Sequence, residues 1–342
     1  MTIRELTADP LPDGSAARRF ALASADGLTA EVSTFGARLM AVLVPMQDGT
    51  LRDIIVGHDL AADHLAGDRC AGATCGRFAG RIAAGRFSLD GVNYQLATNL
   101  GPNHLHGGPE GFDRRTWQAE VAGDAVVFKY RSVDGEEGYP GELNVAVTYR
   151  FTADGSLEIL HEAGTDRATV LNLTNHSYWN LNGNQQRDCG DHLLQVSADR
   201  WLVLDDALIA HGELEPIAGT LRDYREPRPL SDALKDLPIG LDLCFELRGK
   251  RGELKPTARV IHPASGLTLD CATTEPAIQV YTAVHFGPED IGKRGEPLRK
   301  YGALALEAQN FPNTPNLPGL PTSVLRPGET YRNLVQFKVG RV

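Results

Sequence analysis

The sequence predicts an all-β protein, built as one large antiparallel β-sandwich with few short helices. Three observations favour this class. Short runs rich in β-branched and aromatic residues recur along the 342 residues, turn-forming residues separate these runs, and no alternation of strands with long helices is visible. No linker rich in Pro, Gly or Ser interrupts the chain, and no repeat of fixed period is present. We therefore expect a single domain over residues 1–342.

Each predicted strand follows from its own local pattern. A hairpin is predicted where two alternating runs surround a short turn, such as Asp90-Gly91 or Asp154-Gly155. Single strands are predicted from isolated β-rich or alternating runs. In chain order the predicted strands cover residues 28–32, 39–44, 87–96, 125–130, 143–151, 157–161, 260–262, 267–271 and 330–339, and the predicted short helices cover 59–65 and 229–237.

Composition restricts the classes of function. The net charge of −10 argues against nucleic acid or an anionic membrane as the main partner, because both require a basic face. The five cysteines are an odd number and form no Cys-x-x-Cys motif, so we expect reduced thiols in a cytoplasmic protein. The first residues, 1–6, lead into polar residues and prolines, so no signal peptide is expected, and no stretch approaches the length of a membrane span.

Familiar cofactor and nucleophile motifs are missing from the sequence. There is no Gly-x-x-x-x-Gly-Lys phosphate loop, no Gly-x-Gly-x-x-Gly dinucleotide motif and no Gly-x-Ser-x-Gly nucleophile elbow. ATP-dependent, NAD-dependent and acyl-enzyme chemistry are therefore disfavoured.

The region around Glu307 carries the first candidate catalytic group. Glu307 stands at the C-terminal edge of a short apolar run, 303–306. This pattern predicts a carboxylate at the mouth of a strand, where β-scaffolds form pockets. The alternative is an ordinary solvated glutamate at a strand end. Turn-forming residues follow the acid, namely Asn310, Pro312, Asn313, Pro315 and Asn316.

A second candidate is the pair His104 and His106, followed by Glu110. Histidines two residues apart on a strand point to the same face, and the spacing His-x-His-x-x-x-Glu is typical of a cupin-like metalloenzyme. The Gly-Gly-Pro interval at 107–109 breaks that strand before Glu110. We therefore expect no metal. The alternative role for the pair is one histidine capping a turn and the other hydrogen-bonded in a loop.

Three further segments could contact a small polar ligand. Residues 173–181 combine amides and aromatic rings around one histidine, which is what a sugar site needs, although a buried strand is the alternative. Arg77 and Arg81 lie four apart among small residues, and an arginine can bind two oxygens at once. Asp242 is flanked by apolar residues, and a buried acid is either paired or functional.

Taken together and in this order, the motifs resemble the aldose 1-epimerase (galactose mutarotase) family. The matching segments span nearly the whole chain: 76–82, 103–108, 174–181, 241–245, 279–282 and 306–316. The resemblance implies a large β-supersandwich that interconverts the α and β anomers of a free aldose, such as galactose or glucose, without a cofactor or metal. It implies Glu307 as the base and His176 as the acid. It implies sugar contacts for Arg81, His106, Tyr178, Asp242 and Gln279.

The residue types suit this reaction. Mutarotation removes the proton of the anomeric hydroxyl while the ring oxygen is protonated, and nothing is oxidised or transferred. One carboxylate and one imidazolium therefore suffice, each worth roughly 10²–10⁴ in rate. Glu307 is expected to be ionised at pH 7, and a carboxylate beside His176, such as Asp242 or Glu307, would favour the charged imidazole.

Two departures from the family pattern leave the preferred aldose open. The family usually has Asn before the arginine, where this chain has Gly80. It usually has polar residues after the acid, where this chain has Leu243 and Cys244. We expect Gly80 to widen the pocket and to weaken discrimination among epimeric sugars, because a missing hydrogen-bonding group cannot penalise a misplaced hydroxyl.

Two other functions stay open at this stage. One is a sugar-binding β-sandwich without catalysis, which needs hydroxyl contacts but no matched acid and base. The other is an enzyme for hexose 6-phosphates, which would need a basic cluster around the pocket, drawn from Arg69, Arg77 or Lys293. The expected partner is a small sugar, and the chain is expected to be a monomer or a homodimer.

Overall fold

The fold is all-β with large antiparallel sheets, as predicted. The computed structural model describes residues 2–67, 70–183 and 185–342, and Arg69 lies outside the described residues. Within them, the strands are β1 (Thr2–Pro10), β2 (Ala16–Ala23), β3 (Thr29–Ser33), β4 (Arg38–Pro45), β5 (Leu51–Asp53), β6 (Ile55–Val56), β7 (Thr74–Cys75), β8 (Arg81–Ile82), β9 (Arg86–Leu89), β10 (Val92–Gln95), β11 (His104–Leu105), β12 (Gln118–Ala122), β13 (Ala125–Ser132), β14 (Leu143–Phe151) and β15 (Leu157–Thr165).

The second half of the chain continues in the same way, with short strands and little helix. Its strands are β16 (Thr169–Val170), β17 (Thr174–Asn175), β18 (Tyr178–Trp179), β19 (Leu193–Val196), β20 (Ala198–Leu204), β21 (Ala210–Pro216), β22 (Arg228–Pro229), β23 (Asp242–Leu247), β24 (Lys255–His262), β25 (Leu267–Thr273), β26 (Ala277–Tyr281), β27 (Leu304–Gln309), β28 (Val324–Leu325) and β29 (Tyr331–Arg341). The helices of the described residues are α1 (Asp63–Gly67) and α2 (Leu230–Asp236), and neither is long enough and apolar enough to cross a membrane.

Three large sheets organise these strands. A five-stranded sheet has the order β1-β2-β3-β4-β5, a nine-stranded sheet the order β12-β13-β14-β15-β29-β25-β24-β19-β22, and a seven-stranded sheet the order β21-β20-β23-β26-β27-β18-β6. The main apolar cluster takes residues from all three, including Phe20, Val147 and Leu306. The rings of Trp179 and Phe337 lie 4.7 Å apart and join the seven-stranded sheet to the nine-stranded one.

The three central strands of the seven-stranded sheet position the candidate site. In β23, β26 and β27 nearly every residue is buried, so both faces of this part of the sheet are covered. One face is apolar and packs into the main core, with Leu243, Val280 and Leu306 in register across the strands. The opposite face is polar, with Gln279 and Glu307 directly opposed. Burying a large apolar side chain contributes about 1.5–3 kcal/mol, so the apolar face fixes the sheet that carries the polar one.

Every predicted strand range overlaps an observed strand, and one of the two predicted helices is confirmed. The hairpin around Asp90-Gly91 forms between β9 and β10, and its two turn residues adopt φ values of 52° and 80°, as a tight hairpin turn requires. Helix α2 agrees with the prediction for 229–237, whereas α1 begins at Asp63, four residues later than expected. The longer strands that were not predicted are β1, β2, β12, β19, β20, β21, β23, β26 and the second half of β27, and several strands of two or three residues were also missed.

Candidate active site

A cleft of about 520 Å³ opens over the polar face of β23, β26 and β27. Its walls come from loops of distant parts of the chain, which the strands bring together. The residues to which the resemblance gives a role all border this cleft: Arg81, His106, His176, Tyr178, Asp242, Gln279 and Glu307.

Glu307 lies in the middle of β27 rather than at the end of a strand, so the predicted environment of this carboxylate is wrong. Its side chain is buried, and its Oε2 atom accepts no hydrogen bond from the described residues. Burial and the nearby carboxylate of Asp242 raise the pKa of Glu307 well above its usual range, while Arg81 acts in the opposite direction. The sequence predicted that Glu307 is ionised at pH 7. Its burial and the neighbouring carboxylate of Asp242 oppose this ionisation.

His176 occupies the two-residue connection between β17 and β18, and its backbone is held at both polar atoms. Its N–H donates to the carbonyl of Ala73, and its carbonyl accepts from the N–H of Gly72. The Nε2 atom of its ring lies 3.4 Å from Oε1 of Glu307. The Tyr178 ring lies 4.8 Å from the imidazole, centroid to centroid. The structure therefore places an imidazole and a carboxylate side by side in a buried position.

His106 faces the same cluster, but not in the way the strand pattern predicted. Strand β11 ends at Leu105, and His106 has a φ of 51°, so it leaves the strand direction. Its Nδ1 accepts a hydrogen bond from the N–H of Gly80 at 3.2 Å, and its ring lies 5.3 Å from that of His176. Burial, His176 and Arg81 all lower the pKa of His106 well below its usual range. A neutral ring whose Nδ1 accepts carries its hydrogen on Nε2.

His104 does not share these surroundings, so the expectation that the two histidines point to one face is wrong. The Nδ1 of His104 contacts the carbonyl of Ala97 at 2.6 Å, and its Nε2 contacts the hydroxyl of Tyr139 at 2.6 Å. Glu110 is exposed and lies 3.8 Å from a guanidinium nitrogen of Arg115. The donor set of a cupin-like site is therefore not assembled from this segment.

A different trio has the donor atoms for a divalent ion. One ligand atom from each of His106, His176 and Glu307 lies within 4.8 Å of the others, and two histidines with one carboxylate are a common ligand set for zinc. Arg81 stands beside both Glu307 and His106. Its positive charge disfavours a cation at this position.

Asp242, Gln279 and Arg81 form a polar network along the cleft. The amide of Gln279 donates to Oδ1 of Asp242 at 2.5 Å, and the guanidinium of Arg81 lies 3.7 Å from Oδ2. Asp242 is thus paired, as predicted for a buried acid. Arg81 begins β8, and its register partner in β11 is Leu105, so the short β8–β11 ladder holds it at the rim.

Gly80 borders the cleft, but the space beside it is already occupied. Its φ is +82°, and a Cβ atom added there would lie 2.9 Å from Cβ of Pro312 and 3.7 Å from Nε2 of Gln309. The expectation of a simply wider pocket is therefore wrong. Leu243 packs on the apolar face of the sheet and Cys244 is fully buried, and neither is among the residues that border the cleft.

The cations proposed for phosphate recognition have other functions in the fold. Arg77 is buried and donates to the hydroxyl of Ser132 and to backbone carbonyls within residues 132–141. The ammonium of Lys293 donates to Asp53 at 2.5 Å and to two backbone carbonyls. Both side chains make structural contacts within the fold. They therefore do not form the basic cluster that binding of a hexose 6-phosphate would need.

Sequence reasoning missed some residues that border the cleft. Gln309 follows Glu307 by two residues in β27, so strand alternation places both side chains on one face. Tyr281 belongs to a matching segment, but no role was given to it. The alternation of β27 was a sufficient signal for Gln309. His285 also borders the cleft, and it belongs to no recognised motif.

Comparisons with known proteins match the whole length of the chain. A family model described as aldose 1-epimerase matches residues 18–338. The galactose mutarotase of Homo sapiens is 40% identical over 326 residues, which cover 95% of this chain and 94% of the human protein. The aldose 1-epimerase of Escherichia coli strain K12 is 37% identical over 338 residues, which cover 96% of each chain.

Solved structures share the same architecture. An aldose epimerase homologue from C. elegans superposes with a TM-score of 0.87 at 31% sequence identity, covering 94% of this chain and 98% of the other. A galactose 1-epimerase from Lactobacillus acidophilus superposes with a TM-score of 0.85 at 28% identity, covering 99% of both chains. The fold described above is thus shared with these proteins.

Proposed function

Because the chain belongs to the aldose 1-epimerase family and is an isomerase, we propose that it interconverts the α and β anomers of a free aldose such as galactose or glucose. The observation that carries this proposal is the juxtaposition of His176 and Glu307, with 3.4 Å between Nε2 and Oε1 in a sugar-sized cleft. A sugar-binding protein without catalysis has no need of a matched acid and base at this distance.

Glu307 acts as the general base and His176 as the general acid in this proposal. The carboxylate takes the proton of the anomeric hydroxyl while the imidazolium protonates the ring oxygen, and the bond between C1 and the ring oxygen breaks. Rotation about C1–C2 then presents the other face of the aldehyde, and the same two groups close the ring with their roles reversed. Each positioned group contributes roughly 10²–10⁴ in rate.

In the reactive state His176 is an imidazolium and Glu307 is a carboxylate. Burial raises the pKa of Glu307, which makes its carboxylate a stronger base once it is formed. An imidazolium 3.4 Å away favours that carboxylate, because opposite charges stabilise each other at short range in a water-poor site. The lowered pKa of His106 keeps its ring neutral, and this favours His176 as the acid.

The remaining cleft residues orient the sugar. Arg81, Asp242 and Gln279 form one network, which offers donors and acceptors for ring hydroxyls in fixed positions. His106 offers an N–H from Nε2. Tyr178 is buried beneath the cleft and gives an apolar surface on which the C–H face of a pyranose can rest.

A cytoplasmic location fits the thiols. No disulfide joins any of the five cysteines in the described parts of the chain, and four of these cysteines are buried. We therefore retain the reducing compartment as part of the proposal.

Polarimetry or proton NMR of freshly dissolved α-galactose, α-glucose and α-arabinose tests the proposed function. The expected result is faster equilibration than in the buffer blank for at least one of these sugars. If none equilibrates faster while the folded protein still binds sugar, the binding-module function takes its place.

A further inference from the structure

Gln309 is a cleft residue whose side-chain oxygen has no hydrogen-bond partner among the described residues. It lies on β27, two residues after Glu307 and on the same polar face, and only 1% of its surface is exposed. Its Oε1 atom is buried and accepts no hydrogen bond from the described residues. Yet the side chain borders the cleft.

An amide in this condition is unusual, because burying a polar group without a partner is unfavourable. Two nearby amides do have partners. Gln279 donates to Asp242, and the side chain of Asn310 bonds the carbonyls of Pro321 and Thr322. Gln309 differs from these two amides in that its Oε1 has no partner among the described residues, while its side chain borders the cleft.

The side chain of Gln309 borders the cleft beside Gly80. A Cβ atom added at Gly80 would lie 3.7 Å from Nε2 of Gln309. Pro312 closes the space behind Gly80, 2.9 Å from the same point. Because residue 80 has no side chain, nothing from that position covers the amide of Gln309.

We propose that Gln309 is a substrate-contacting, specificity-determining residue, and that its amide hydrogen-bonds a sugar hydroxyl other than the anomeric one. This inference rests on the proposed function. Two residues along a strand correspond to about 6.6 Å. This distance separates the Gln309 amide from Glu307, and therefore from the anomeric hydroxyl on which Glu307 is proposed to act. A hydroxyl both donates and accepts, and it therefore matches the two halves of a carboxamide.

The test compares Gln309→Met with the native chain on glucose and on its 2-, 3-, 4- and 6-deoxy analogues. Methionine keeps the length and flexibility of the side chain and removes both polar atoms. We expect kcat/KM for glucose to fall by about 3- to 10-fold, the effect of one net hydrogen bond, mainly through a higher KM. For one deoxy analogue, the substitution should change nothing, because the hydroxyl read by Gln309 is already missing.

Gln336→Met is the matched control. Gln336 lies on β29, where its amide donates to Glu158 and borders no part of the cleft. This control should leave the selectivity pattern of the native chain unchanged.

Melting temperature separates a substrate contact from a structural one. Gln309→Met removes an unsatisfied buried amide, so its melting temperature should equal or exceed that of the native chain. A lower melting temperature together with equal losses on glucose and all four analogues would overturn the inference. If the native chain accelerates no mutarotation, the proposed function fails by itself, and saturation-transfer NMR of binding to the same sugars then decides the role of Gln309.

Discussion

Gln279 and Glu307 are directly opposed on the neighbouring strands β26 and β27, so one backbone ladder sets the distance between the amide proposed to bind the sugar and the proposed base. The same amide donates to Asp242 on β23. Side chains on central strands are held more rigidly than side chains on loops, which suits a reaction that needs two proton transfers in register.

Glu307→Gln should lower kcat by roughly 100-fold or more, with a smaller change in KM, because the amide keeps the shape of the side chain but cannot take a proton. Glu275→Gln is the control, since Glu275 is also a buried carboxyl but borders no part of the cleft. Steady-state rates by polarimetry measure kcat and KM of both variants. A near-native kcat for Glu307→Gln would exclude Glu307 as the base.

His176→Asn should lower kcat by roughly 100-fold or more, because no proton donor then stands beside the ring oxygen. His106→Asn should raise KM, because this variant loses the proposed contact between His106 and the sugar. His211→Asn, at an exposed histidine paired with Asp205, is the control and should be neutral. Equal kcat for His176→Asn and the native chain would exclude His176 as the acid.

The dependence of kcat/KM on pH should be bell-shaped. Its acid limb rises as Glu307 loses a proton, and because the pKa of Glu307 is raised, this limb lies above the usual range of a glutamate. A basic limb is expected from the general acid, which acts only while it carries its proton. Asp242→Asn removes a negative charge that raises the pKa of Glu307, so the acid limb should move to lower pH.

Asp199→Asn is the matching control, because Asp199 pairs with Arg248 away from the cleft. An acid limb that stays in place in Asp242→Asn would show that Glu307 does not govern it.

Exhaustive treatment with EDTA should leave the activity unchanged, because the proposed reaction uses protons alone. The measurement is the rate before and after chelation, with metal analysis of the purified protein. Activity that is lost with EDTA and restored by one equivalent of metal contradicts the prediction.

His161 should make the fold sensitive to acid. Burial lowers its pKa from 6.5 to about 4, so the unfolded chain binds a proton more readily between these values. Its contribution to stability is complete above pH 6.5 and is lost as the pH falls to 4, a change of about 3 kcal/mol. Urea unfolding at pH 7 and pH 4.5 measures it, and His161→Leu should reduce the difference. An equal difference in both proteins would assign the acid sensitivity to other groups.

The sequence predicted strand boundaries best where one face of a strand is exposed to solvent. Strand β14 alternates buried and more exposed residues along its whole length, and it was predicted with its observed boundaries. It was least informative where both faces are covered, because β26 is buried at every position and shows no period of two. Strands β1 and β2 were missed for a different reason, since their charged, exposed residues do not resemble a core strand.

For the site, the residues that meet in the cleft could be named from their motifs, but their surroundings could not. The burial of Glu307 depends on β26 and on the loops that cover the cleft, which no local pattern around residue 307 records. The divergence of His104 and His106 depends on a left-handed backbone at His106. Such a conformation is uncommon outside glycine, so strand alternation predicted the wrong direction.

Strand β29 lies in the nine-stranded sheet between β15 and β25, and it pairs with both over most of its length. During translation the ribosome completes β15 and β25 before it makes β29. Two half-sheets must then persist in the nascent chain, each with an open edge that can pair with a foreign strand. Yield in a living cell should therefore depend on chaperones that shield those edges until the last strand is inserted.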